Sequence, residues 1–149
     1  MKILVLNGPN LNLLGLREPG LYGSRTYAEL VDLCLRTGME SGVPVEVRQS
    51  NHEGTLVDWI QEARGTFDAI VLNAAAYTHT SVAILDALKA VALPTVEVHI
   101  TDPKTREPFR HVSYVGMAAC ATFAGFGIDS YVRAIRYLVS RKNEEKRTD

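Results

Sequence analysis

The sequence predicts a single α/β domain in which helices cover both faces of a parallel sheet. Short apolar segments alternate with amphipathic segments five times along the chain. The segments Lys2–Leu6 and Ala69–Leu72 are almost uninterrupted apolar runs, which is typical of strands buried on both faces of a parallel sheet. The length of 149 residues suits one hydrophobic core, so we expect one catalytic domain over 1–149.

The first two strands enclose a well-marked helix. Strand one is Lys2–Leu6, and Thr26 and Glu29 then have the spacing of a capping box, which starts the first helix. Gly42 ends that helix. Three valines, at positions 43, 45 and 47, alternate with polar residues as a second strand near the sheet edge.

The remaining elements repeat the pattern. A second helix carries Leu56, Trp59, Ile60 and Ala63, and it is followed by a strand at Ala69–Leu72, a helix to about Val91, a strand at Thr95–Ile100, a strand at Cys120–Ala124 and a last helix from Asp129 to Ser140. The charged tail, about 141–149, is expected to fray. Right-handed crossovers between five parallel strands favour the order 2-1-3-4-5 of flavodoxin-like folds.

Composition excludes several classes of function. No apolar run approaches the length of a membrane span, and scattered basic residues with a net charge of −1 do not form a face for nucleic acid. The apolar run after Lys2 is too short for a signal-peptide core, so we expect a soluble cytoplasmic protein. Cys34 and Cys120 both fall in apolar patterns and are expected to be buried free thiols.

Polar residues collect where the predicted strands end. Strand one leads into Asn7 and Asn10, strand three into Asn73 and His79, and strand four into His99. Ligands of open α/β sheets bind beyond the carboxyl ends of the strands, so these side chains predict the functional site.

The segment from Gly15 to Gly23 has four glycine or proline residues in nine positions. It is therefore a poor helix or strand and is typical of a mobile lid. The segment carries Arg17 and Tyr22, although a lone tyrosine in a loop is more often a surface aromatic than a catalytic group.

Glu97 and His99 are two residues apart on a strand, so their side chains point to the same face. A carboxylate beside an imidazole fixes its tautomer and favours the protonated form, which suits a general acid. Metal binding by a pair of the four histidines is an alternative, but neither an HExxH motif nor a zinc-type Cys/His spacing is present. Phosphate-binding glycine motifs are also absent from the sequence.

Six motifs together resemble those of the type II dehydroquinases, in order and at matching spacing from residue 1 to about 138. They are Asn7-Gly-Pro-Asn-Leu-Asn-Leu-Leu-Gly15, Arg17-Glu-Pro19 with Tyr22-Gly23, Gln49-Ser-Asn-His-Glu-Gly54, Asn73 with Tyr77-Thr-His-Thr-Ser81, Glu97-Val-His99, and Arg106-Glu-Pro-Phe-Arg110. The resemblance implies a hydro-lyase that removes water in trans from 3-dehydroquinate, giving 3-dehydroshikimate through an enolate. This is the third step of the shikimate pathway to chorismate and the aromatic amino acids.

The resemblance also implies roles for individual residues, with neither a metal nor another cofactor. Tyr22 would be the base, Arg17 its activator, His99 the general acid, Glu97 the residue that positions His99, and Asn10 the holder of a water at the enolate oxygen. Asn73 and the backbone of Ile100 and Thr101 would bind the substrate carboxylate, and His79 and Arg110 the ring hydroxyls. Asp86 would act in a neighbouring subunit of a homododecamer built from trimers.

The chemistry of these residue types agrees with those roles. A free tyrosine has a pKa of about 10, and lowering it by about 3 pH units takes roughly 4 kcal/mol, for which a close guanidinium is a reasonable source. Arg17 keeps its charge at any working pH. Two positions depart from the family pattern: Val112 stands where histidine is common, and Thr101 where serine is common.

Two other functions compete with this hypothesis. One is a metal-dependent hydrolase or lyase that uses the histidines, and the other is a flavodoxin-like module that binds a small anion without catalysis. A chelator assay would test the first, while the Arg17–Tyr22 pair has no purpose in the second.

Overall fold

The fold is a parallel sheet with helices on both faces, as the sequence predicts. The computed structural model describes residues 1–16, 20 and 24–148. The strands are β1 (Ile3–Asn7), β2 (Val45–Gln49), β3 (Ala69–Asn73), β4 (Thr95–His99) and β5 (Ala121–Ala124). The α-helices in the described residues are α1 (Tyr27–Glu40), α2 (Glu53–Ala63), α3 (Val82–Val91) and α4 (Asp129–Thr148).

The strand order is β2-β1-β3-β4-β5 and all neighbours are parallel, which confirms the predicted order 2-1-3-4-5. Every residue of β1, β3 and β4 is buried, whereas β2 and β5 are edge strands and are more exposed. This explains why β1 and β3 are continuously apolar while β2 alternates. Asn7 pairs in register with both Gln49 and Asn73, so polar residues from three strands lie side by side at the carboxyl ends of the strands.

Two apolar layers hold the helices on the sheet. Alternate residues of the central strands face opposite sides. Ile3 and Val5 pack with α1 and α4, and Leu4 and Leu6 pack with α2 and α3. The start of α1 is as predicted, since Thr26 Oγ1 accepts a hydrogen bond from the Glu29 backbone N–H at 3.2 Å.

Two sequence predictions are wrong. The last helix does not end near Ser140 but continues to Thr148, through the segment that was expected to fray. Glu, Lys and Arg in that segment are good helix formers, and Arg141 and Glu145 form an i,i+4 ion pair at 3.7 Å. Cys120 is exposed because it precedes an edge strand, whereas Cys34 is buried as predicted, and burial raises the pKa of its thiol to about 12. Both thiols are free.

No helix in the described ranges is both long and apolar enough to cross a membrane.

Candidate active site

A cavity of about 290 Å³ lies beyond the carboxyl ends of β1, β3 and β4. Seven of the predicted site residues line it: Asn10, Asn73, His79, His99, Ile100, Thr101 and Arg110. The parallel sheet therefore brings together residues that lie up to 100 positions apart in the chain.

The other predicted residues lie elsewhere. Glu97 is buried beside His99 and does not itself line this cavity. Asp86 is exposed on α3 and does not line the cavity. Arg17 and Tyr22 lie outside the described residues.

A buried tyrosine orients Asn73 at the end of β3. The Tyr131 hydroxyl, which is completely buried on α4, donates to Asn7 Oδ1 at 2.6 Å and accepts from Asn73 Nδ2 at 2.8 Å. Asn73 Oδ1 accepts from the Ala75 backbone N–H at 3.1 Å. Because an amide group carries two N–H donors, one of them is left for a ligand in the cavity. Asn73 thus presents a fixed donor that suits a carboxylate.

Glu97 and His99 form a hydrogen-bonded pair at the end of β4. His99 Nε2 lies 2.8 Å from Glu97 Oε2, and both residues are buried. Since a carboxylate can only accept, Nε2 carries the proton of this bond. Nδ1 has no hydrogen-bond partner in the described part of the chain, so it is the ring nitrogen available for a ligand.

Glu97 is an anion across the usual pH range. Burial opposes its ionisation, but hydrogen bonds from His99, Ser113 and Thr122 and the charge of His99 outweigh burial and lower the pKa of Glu97 to about 2. Glu97 therefore presents a negative charge to the His99 ring. The roles of acid for His99 and of positioning residue for Glu97 stay predictions.

The loop after β1 has a backbone shape that places Asn10 at the cavity. Asn10 is in the left-handed region at φ 70°, which asparagine tolerates better than most residues, and its N–H donates to Asn51 Oδ1 at 3.0 Å. Gly8 packs directly on the loop after β3, where its N–H donates to the Asn73 carbonyl at 2.8 Å. An added Cβ at Gly8 would lie 2.4 Å from the Ala74 carbonyl oxygen.

His79 and Arg110 enter the cavity from two further segments. His79 Nδ1 lies 2.8 Å from the Val112 carbonyl oxygen, which orients the ring. Arg110 Nε donates to Glu107 at 2.5 Å. Of the other two histidines, His52 is the N-cap residue of α2 and His111 lies 3.1 Å from the Arg106 carbonyl; neither lines the cavity.

Several functional residues were missed by sequence reasoning. Arg106 lines the cavity; it stands in the Arg106–Arg110 motif but was given no role. Tyr131 and the hydroxyl residues around Glu97 were not singled out either. Within the described ranges, no group of three or more His, Cys, Asp or Glu side chains could hold a metal ion.

Comparisons with known proteins decide the family. The model described as "Dehydroquinase class II" matches residues 1–139. The chain belongs to the class II dehydroquinase family. A 3-dehydroquinate dehydratase of Acidovorax sp. (strain JS42) is 54% identical over 138 residues, covering 89% of this chain and 93% of the relative. One from Corynebacterium glutamicum (strain R) is 52% identical, with 95% and 97% covered.

Solved structures agree with this membership. The type II dehydroquinase of Butyrivibrio crossotus superposes with a TM-score of 0.91 at 46% identity, covering 93% of this chain and 97% of that one. The dehydratase-like protein from Bifidobacterium longum is more distant, with a TM-score of 0.69 at 30% identity and 94% and 97% covered. The dehydroquinase resemblance read from the six motifs is confirmed, and the comparisons favour neither of the two competing functions.

Proposed function

We propose that the chain catalyses the trans-dehydration of 3-dehydroquinate to 3-dehydroshikimate in the cytoplasm, as a step of the shikimate pathway. The observation that carries this proposal is the buried Glu97–His99 pair, which turns one imidazole nitrogen toward a polar cavity in a chain of this family.

The first chemical step removes a proton from the carbon next to the substrate ketone. Tyr22, as the phenolate activated by Arg17, takes this proton, and the electron pair of the broken C–H bond forms the enolate. A water held by Asn10 stabilises the enolate oxygen without adding a charge. Asn10 lines the cavity, which supports this role.

The second step expels the hydroxyl group from the neighbouring carbon. The enolate collapses to the ketone, its electrons form the new C=C bond, and the C–O bond breaks as His99 Nδ1 donates a proton, so that water leaves. Protonation of the leaving group is needed because hydroxide is a poor leaving group, and a positioned acid typically contributes about 10²–10⁴-fold. The proton taken by Tyr22 then returns to solvent and His99 is reprotonated.

The substrate is held by groups on three sides of the cavity. The free N–H of Asn73 and the backbone of Ile100 and Thr101 bind the carboxylate, and His79 and Arg110 bind the ring hydroxyls. The positions of these five residues around one cavity support the assignment.

The proposal extends to an assembly. Asp86 is exposed on α3 and away from the cavity of its own chain, which supports a role in the site of a neighbouring copy in a homododecamer. Sedimentation equilibrium on the active enzyme would contradict this assembly if it gave the monomer mass.

The absorbance of the conjugated enone tests the function directly. With 3-dehydroquinate, wild type and Tyr137→Phe, a matched change far from the cavity, should form enone at equal rates in the presence of a chelator. Tyr22→Phe and His99→Gln should each be slower by at least about 10²-fold. The function is refuted if wild type forms no enone, and the assigned base is refuted if Tyr22→Phe is as fast as wild type.

A further inference from the structure

The carboxylate of Glu97 is surrounded by hydroxyl groups from three separate segments. Oε2 lies 3.1 Å from Thr78 Oγ1, accepts from Ser113 Oγ and accepts from His99 Nε2 at 2.8 Å. Oε1 instead accepts from Thr122 Oγ1 at 2.9 Å. One oxygen therefore shares its charge among several donors, while the other has Thr122 as its one side-chain donor within the described residues.

Thr122 is placed for this contact by the sheet itself. It pairs in register with Glu97 on the adjacent strand β5, so the two side chains lie next to each other on the same face. Gly116 also packs close to this oxygen, since a Cβ added at Gly116 would lie 3.0 Å from Oε1. Thr122 is itself exposed, and it lines a second cavity of about 300 Å³ that also reaches His99.

Hydrogen bonds to a carboxylate change how strongly it holds a neighbouring proton. A buried carboxylate with one imidazolium partner holds that partner's proton tightly, because nothing else shares its charge. Each additional hydroxyl that donates to the carboxylate draws charge away and weakens this hold. The low pKa of Glu97, about 2, agrees with a carboxylate that stays an anion and does not carry the proton itself.

We propose that Thr122 is a positioning residue for the dehydration: its hydroxyl anchors Oε1 of Glu97 and shares its charge, so that His99 is held in place and releases its proton readily. This inference rests on the proposed role of His99 as the acid. Thr122 does not touch the substrate cavity and acts only through Glu97.

Other charged or titratable groups also face His99, and all of them stay unchanged in the test. Besides Glu97 on its own strand, the two cavities that contain His99 are lined by His79 after β3 and by Asp102, Lys104, Arg106, Arg110 and His111 of the segment after β4. If a change at Thr122 alone shifts the pH dependence of the reaction, the shift therefore reports the Thr122–Glu97 hydrogen bond.

The test replaces the hydroxyl by a methyl group of the same shape. Thr122→Val should lower kcat by about 10-fold with KM within about twofold, because the interaction acts on the proton transfer and not on substrate binding. The alkaline limb of the kcat profile should move to higher pH by about 0.5 or more, because Glu97 then shares less of its charge with hydroxyl groups and stabilises the charged form of the His99 ring more strongly. Thr122→Ser keeps the hydroxyl and should restore both values.

A matched control is available one strand away. Thr95 is buried at the start of β4, and its hydroxyl donates to the Leu93 carbonyl at 3.1 Å; none of the hydrogen bonds found among the described residues joins it to Glu97. Thr95→Val should keep the wild-type pH profile. The titration of the His99 ring, followed by NMR and assigned through its loss in His99→Gln, should move upward in Thr122→Val and stay in place in Thr95→Val.

The outcomes separate this inference from the proposed function. An unmoved His99 titration and an unmoved alkaline limb in Thr122→Val overturn the inference, as does a loss of rate that Thr122→Ser does not restore. If His99→Gln is as active as wild type, the acid role of His99 fails instead. The NMR titration still decides whether Thr122 governs the His99 proton, because it does not depend on activity.

Discussion

Tyr131→Phe tests how a buried helix residue supports the cavity. The change removes one hydroxyl that donates to Asn7 Oδ1 at 2.6 Å and accepts from Asn73 Nδ2 at 2.8 Å. Burial raises the pKa of Tyr131 well above its usual value, so this hydroxyl stays a donor at any working pH. The phenylalanine ring fills the same space, and the loss is confined to the two hydrogen bonds.

The magnitude follows from the groups left behind. Asn7 is completely buried and Asn73 is 3% exposed, so a buried acceptor and a buried donor each lose a partner. An unsatisfied buried polar group costs about 1–3 kcal/mol, and the two together should reduce the free energy of unfolding by about 3 kcal/mol. For a chain of this size each kcal/mol corresponds to a fall in Tm of about 2–4 °C, so Tm should fall by about 6–12 °C.

The same change should weaken substrate binding. Asn73 keeps its bond from the Ala75 N–H but loses the anchor on its amide nitrogen, which is the atom expected to meet the substrate carboxylate. We expect KM for 3-dehydroquinate to rise by about 10-fold, with a smaller change in kcat, because ground state and transition state lose the same contact.

Calorimetry and the enone assay measure the two effects, and Tyr137→Phe on the same helix is the control. Tyr137 is partly buried and packs edge-on against Phe123 at 5.9 Å. Its variant should melt within about 2 °C of wild type. A Tyr131→Phe protein with the wild-type Tm and KM would refute the reasoning, since the bonds to Asn7 and Asn73 would then contribute nothing.

Two further predictions concern stability. The depressed pKa of Glu97 contributes stability that is present above its ordinary value of 4.5 and is lost as pH falls through about 2; this difference corresponds to about 3 kcal/mol. Between pH 5 and pH 2, the free energy of unfolding measured with urea should fall by about that much more for wild type than for Glu97→Gln. If the free energies of the two proteins depend on pH in the same way, the assignment is contradicted. Gly8→Ala should lower the free energy of unfolding by at least about 2 kcal/mol, because its Cβ would lie 2.4 Å from the Ala74 carbonyl oxygen. Gly54→Ala, in the first turn of α2 with nothing within 4 Å of its Cβ, should be neutral or stabilise by up to about 1 kcal/mol, and equal effects at the two glycines would refute the packing argument.

Most of the fold could be predicted because burial leaves a local pattern in the chain. A strand buried on both faces, such as β1, has to be apolar throughout, and an N-cap such as Thr26 is recognisable from its spacing to Glu29. The end of α4 could not be predicted in the same way. Charged residues such as Arg141 and Glu145 suit an exposed helix as well as a frayed tail, and composition alone does not distinguish the two.

In the candidate site, too, some residues can be predicted from a local sequence pattern and others cannot. Asn10, Asn73 and His99 follow or interrupt apolar runs at strand ends, so the rule for ligand sites in open α/β sheets is sufficient to place them together. Tyr131 does not interrupt a pattern. It shares the apolar face of α4 with Ala134, Ile135 and Leu138, and nothing nearby in the sequence reveals that its hydroxyl reaches Asn7, 124 positions away.

Thr122 shows the same difficulty in a strand. A threonine on an edge strand is ordinary, and its importance comes only from the register that sets it beside Glu97. Side chains that face the substrate have to be polar where the fold expects apolar residues, so they stand out in a sequence. Side chains that orient them can fit the ordinary pattern of their own element and contribute a single polar atom, as Tyr131 does on a helix and Thr122 on an edge strand. Distances between elements are therefore needed to predict which substitutions alter proton transfer without altering the cavity.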